Sequence, residues 1–118
     1  MTVGAWLDTR QPAPPPALGA ELRRALGPAL DADASTVREA SLAAAESLLA
    51  LALAAGCRDR AHAIVLLAAD ALVTYAFEAA ADEPDALGER AAAAVRRLSS
   101  LAAAARGGAA DAAVGGAA

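Results

Sequence analysis

The sequence predicts an all-α fold: an antiparallel four-helix bundle with three long helices and a shorter N-terminal one. Three observations lead there. Alanine, the strongest helix former, supplies 40 of the 118 residues. Leucines recur at three- and four-residue spacing, and no stretch alternates as a strand does. Gly and Pro fall where helices would start and stop. Without the alanines, the 58% hydrophobic content shrinks to enough bulky side chains for one modest core.

The elements follow in order. Val3, Trp6 and Leu7 share helical spacing, with Thr2 placed to cap one short turn. Pro12, Pro14, Pro15 and Pro16 impose an extended link, so residues 1–16 read as a Pro-rich arm ahead of a bundle domain at 17–106. The shorter helix is expected over Pro16–Leu26, with Leu18, Leu22 and Leu26 one turn apart. Gly27 followed by Pro28 stops it, because Gly accepts a left-handed cap and Pro cannot continue the ladder.

The next helix is expected to start at Thr36, whose spacing to Glu39 makes a capping box, and to end at Gly56. A third helix, capped by Asp59, reaches Ala81 and is apolar on nearly every side, which predicts a central, buried position. A fourth runs from Pro84 to about Arg106 and carries a seam of Leu87, Ala91, Ala94, Val95, Leu98, Leu101 and Ala105. Gly107 and Gly108 are expected to end it, leaving 107–118 as a disordered Gly/Ala tail.

Composition narrows the function classes. The net charge is −4, all ten basic residues are Arg, and aromatics are scarce, which argues against a nucleic-acid binder. One Cys and one His exclude an intramolecular disulfide and a Cys-rich or His-rich metal site within one chain, and no cofactor is expected. Residues 1–10 lack the basic and apolar regions of a secretory signal. The apolar run 63–77 is short for a membrane span and carries Asp70 at its centre. Arg without Lys or Asn suggests a GC-rich bacterial genome. The expected setting is the cytoplasm.

Asp70 is the most informative residue. An aspartate inside an apolar helix is expensive to bury unless paired, hydrogen-bonded or protonated. Three readings stand: a ligand site inside the bundle, a buried ion pair with Arg38 or Arg97, or a solvent-facing position. His62, Thr74 and Glu78 share its four-residue spacing. A ligand site would comprise Asp70, Thr74, Tyr75, Phe77 and His62, with Asp70 and Thr74 as polar handles. Cys57 near His62 lacks an orienting third group, and no nucleophile–base set assembles, so no enzyme is expected.

Residues 63–79, AIVLLAADALVTYAFEA, resemble a helix of polyprenyl synthases. The stretch covers under a fifth of the chain, and the aspartate-rich DDxxD motifs of those enzymes are absent, so no activity follows from it.

The leading expectation is a self-associating interaction module, a homodimer first of all. Its interface would use Leu87, Ala91, Ala94, Leu98, Leu101 and Trp6, with the Pro-rich arm strapping one subunit to the other. The alternative is a small apolar-ligand binder.

Overall fold

Alanine-rich segments bounded by Gly and Pro fold as five α-helices in the computed structural model, which describes residues 1–56, 60–81 and 84–117 and the side chains of 1–56, 60–81 and 88–107. They are α1 (Val3–Asp8), α2 (Pro16–Leu26), α3 (Val37–Ala55), α4 (Arg60–Ala80) and α5 (Pro84–Ala117). Two 3₁₀ turns, Gly27–Asp31 and Ala34–Thr36, link α2 to α3. No strand occurs among the described residues.

Local signals act much as the sequence implies. Thr2 caps α1 by accepting from Ala5 N at 3.1 Å. Pro16 opens α2, where its missing N–H costs nothing. Gly27 ends α2 at φ 51°, and Gly56 ends α3 at φ 81°, both in the positive-φ region that glycine tolerates. The box at Thr36 is different. Thr36 makes no side-chain cap on α3; its Oγ1 donates to the Asp33 carbonyl at 2.7 Å, while Asp33 Oδ1 accepts from Ser35 N. The Asp33 turn takes the hydroxyl that the capping box required.

The N-terminal arm is part of the folded body. Val3, Gly4 and Leu7 are buried. Val3 N donates to the Ala32 carbonyl, and Ala34 N to the Met1 carbonyl, both at 2.9 Å. Gly4 lets this happen, since a Cβ there would stand 3.3 Å from the Leu30 carbonyl oxygen.

The core forms where α3 and α4 share their large common interface, with α1 and α2 laid on one side. Leu22, Leu72, Val3 and Val37 are its most deeply buried large side chains. Alanines 44, 45, 52, 68, 69 and 76 are buried with them, so the two backbones approach without interdigitating bulk. A smaller cluster of Leu42, Ala76 and Ala94 joins α3, α4 and α5, with Phe77 against it.

Two expectations change here. α4 is not buried all round: Leu67 is 58% and Leu66 39% exposed. An apolar helix is central only if neighbours cover every side, and α4 has a bare one. The Gly107–Gly108 pair does not end the last helix, which continues to Ala117. Each Gly costs about 1 kcal/mol, but extending an existing helix needs no new nucleus and the following residues are mostly alanine. At 34 residues, about 51 Å, α5 accounts for the 55 Å length of the molecule.

Candidate functional site

Helical geometry decides which side chains can meet. At about 100° per residue, Asp70 lies about 200° from Leu72, a fully buried residue of α4, and so points nearly opposite the core. Asp70 is accordingly exposed, and its backbone carbonyl accepts from Thr74 Oγ1 at 3.0 Å. Thr74 is exposed too. The buried ion pair with Arg38 or Arg97 therefore does not form. Arg97 is held by Glu39 at 3.1 Å and by Glu46.

The other predicted ligand residues are dispersed. His62 is half-buried at the start of α4. Cys57 and Asp59 lie outside the described residues. Tyr75 and Phe77 leave α4 in directions about 200° apart and serve different neighbourhoods.

Tyr75 faces α1. Its ring meets Trp6 edge-on, with centroids 6.0 Å apart and planes at 83°. The Arg10 guanidinium lies 3.9 Å from the centroid of the Trp6 ring and pairs with Glu78 at 3.2 Å. These contacts fasten α1 to α4 within one chain, and they occupy the Trp6 that was expected to reach a partner. Burial and the nearby Glu78 charge push the Tyr75 phenol above its ordinary value, against a smaller opposite pull from Arg10.

Phe77 faces α5, where α3, α4 and α5 line a half-open cavity of about 180 Å³. Leu42, Ala76, Phe77 and Ala80 supply apolar wall. Among the described residues, Arg38, Arg90 and Arg97 line it as cations and Glu39 as a carboxylate. Sequence reasoning missed this combination. The available signal was Arg90 and Arg97 one heptad apart on the same face as small Ala93 and Ala94, with Arg38 and Leu42 one turn apart on α3.

The seam expected to form an interface is used largely inside the chain. Ala94 is buried against Leu42 and Ala76, and Ala91, Leu98 and Leu101 are half-buried. The Leu87 side chain lies outside the described residues.

Apolar surface remains exposed elsewhere. Leu51 is 58% and Leu53 40% exposed near the end of α3, and Leu66 and Leu67 stand out early in α4. Ala50, Leu53 and Ala54 border a groove shared with Leu101, Ala104 and Ala105 of α5. By length and apolar content α4 also meets the requirement for a membrane span, a test that the core helix of a water-soluble bundle passes as well. Among the described residues, no three His, Cys, Asp or Glu side chains gather as metal ligands would.

No protein-family model, curated protein or solved structure matches the chain.

Proposed function

We propose that the protein is a non-enzymatic interaction module that associates with a second copy of itself. In this reading α2 to α5 form an antiparallel four-helix bundle, and the end of the α3–α4 pair remote from α2 is what the second copy covers.

One observation carries the reading: the exposure of four leucines toward that end of the two helices. Leu51 and Leu53 close α3, and Leu66 and Leu67 lie within two turns of the start of α4. The reason is length. The 11 residues of α2 span about 16 Å, whereas the 19 of α3 and 21 of α4 span about 28 and 32 Å. α2 cannot shield the whole pair, and large apolar side chains left uncovered on a small domain offer material for an interaction surface. A two-fold dimer brings the same surface of each copy together, so an exposed side chain such as Leu51 or Leu67 is covered in both at once. The Arg-for-Lys bias and the single Cys suit a bacterial cytoplasmic protein.

Native mass spectrometry and sedimentation over a wide concentration range test the proposal. Wild type is expected to dimerise, and Leu51→Glu/Leu67→Glu to remain monomeric with its helical signal intact. Wild type that stays monomeric throughout refutes self-association. A dimer that survives the double substitution refutes this surface.

A further inference from the structure

α3 and α5 run side by side in the same direction. Leu42 clusters with Ala94, Glu46 pairs with Arg97, and Ala50, Leu53 and Ala54 share a groove with Leu101, Ala104 and Ala105. The offset in sequence is 52 for Leu42 and Ala94 and 51 for Glu46 and Arg97, which sets Ala55, the last residue of α3, opposite Arg106. α5 does not stop there. It continues through Gly107 to Ala117, about 16 Å past the end of α3.

Two unmet requirements therefore lie next to each other. The groove is lined among the described residues by Ala and Leu alone, and Leu53 on its α3 wall is 40% exposed. The projecting part of α5 includes Gly107, Gly108, Gly115 and Gly116. Glycine weakens a helix, and a terminal stretch so rich in it gains its helicity from what it packs against. The sequence matches the one requirement to the other. After Leu101, Ala104 and Ala105 on the groove wall, Gly108, Ala112 and Gly115 follow at the same three- and four-residue spacing. Small residues in that row let another helix approach toward the low end of the usual ~8–10 Å between axes.

The projecting segment cannot fill the groove of its own chain, because it continues the helix that forms one wall. A second copy removes that obstacle. We propose that residues 107–117 of each copy lie in the α3–α5 groove of the other. This rests on the self-association proposed above and assigns the segment that makes the contact. A two-fold axis at Gly108 satisfies both copies at once. The two α5 helices then run antiparallel, and Gly108 opposes its own counterpart where the backbones come closest. Ala104 opposes the partner's Ala112, and Leu101 the partner's Gly115. The incoming helix covers Leu53.

Disulfide trapping tests the register in the full-length chain. Cys57→Ser/Ala104→Cys/Ala112→Cys, treated with oxidised glutathione, is expected to give a covalent dimer on a non-reducing gel. Positions 104 and 112 of one helix lie about 12 Å apart and cannot join each other. Cys57→Ser/Ala112→Cys is expected to give none, since the two copies of position 112 lie about 12 Å apart across the axis. No covalent dimer from the pair overturns the proposal, as does equal trapping by Ala112→Cys without Ala104→Cys.

Native mass spectrometry separates this proposal from self-association itself. Ala112→Glu is expected to shift the dimer to monomer with its circular dichroism unchanged. Val114→Glu, about 200° away around the helix, should leave the dimer intact. If Ala112→Glu stays dimeric while Leu51→Glu/Leu67→Glu turns monomeric, the α5 assignment falls and self-association stands. Wild type that is monomeric throughout removes both. If Ala112→Glu loses helical signal, the trapping experiment still decides.

Discussion

Leu67 and Leu72 lie on one helix five residues apart and differ in what covers them. Leu72 is 0% exposed and Leu67 58% exposed. Shortening either to Ala removes three carbons, a transfer loss of about 2.4 kcal/mol for a fully buried side chain. At Leu72 the cavity left behind adds to that loss, because Ala45, Ala68 and Ala69 in the surrounding core are too small to collapse into it. The expected cost of Leu72→Ala is about 3–5 kcal/mol. For a chain of this length total stability is on the order of 6–18 kcal/mol, so Leu72→Ala removes a large share. At Leu67 about two-fifths of the transfer energy is at stake and solvent fills the gap, giving about 1 kcal/mol in the monomer. Urea denaturation followed by circular dichroism measures both. Repeating it over a range of protein concentrations separates the chain from its assembly, because a dimer that buries Leu67 makes the cost of Leu67→Ala grow with concentration. Equal costs for the two substitutions, independent of concentration, would refute the orientation of α4 described above.

Three further outcomes follow from the same geometry. Asp70→Ala should change stability by no more than about 0.5 kcal/mol, as for an exposed residue, and a loss of several kcal/mol in a urea melt would place Asp70 back in the core. Gly27→Ala should cost about 1–3 kcal/mol by the same assay, although no atom stands within 4 Å of the new Cβ. The cost arises from holding an L-residue at φ 51°, ψ −127°, so an unaffected midpoint would contradict that backbone conformation. Stability should also fall as pH rises above about 10. The Tyr75 phenol is held above its ordinary value in the fold, so over that range the unfolded chain binds fewer protons and is favoured. Below that pH both states keep the proton and nothing is lost. Melts at about pH 9 and about pH 11 should show the alkaline loss reduced in Tyr75→Phe, and an equal loss in both proteins would count against the buried phenol.

What was legible in the sequence is what neighbouring residues decide among themselves. Thr2, Pro16, Gly27 and Gly56 act through the backbone within a few residues, and their helix ends could be read directly. Asp70 and Leu67 could not be placed in that way. Their exposure depends on how far α2 reaches along α4, a distance fixed by packing between segments remote in sequence. The capping box at Thr36 shows a local rule losing to a nearby competitor, since the Asp33 carbonyl lies within reach of the same hydroxyl. The cavity was harder still. Phe77 was singled out, but its cationic neighbours come from α3 and α5, and no spacing along α4 announces them. The glycine pair at 107–108 carries a local stop signal, because Gly is a poor helix former, yet the alanines beyond it sustain the helix to Ala117.

The way α5 is attached has a dynamic consequence. α1 to α4 share a continuous core, whereas among the described residues α5 meets it through the separate small cluster of Ala94, the ion pairs of Arg97 and half-buried side chains such as Leu98 and Leu101. Two cooperative units of unequal depth result, and amide protons of α5 should exchange with solvent through partial openings that leave α3 and α4 protected. The third wall of the Phe77 cavity exists only while α5 is docked. Anything that occupies the cavity therefore slows exchange along α5, and anything that frees α5 empties the cavity, because the two equilibria are one.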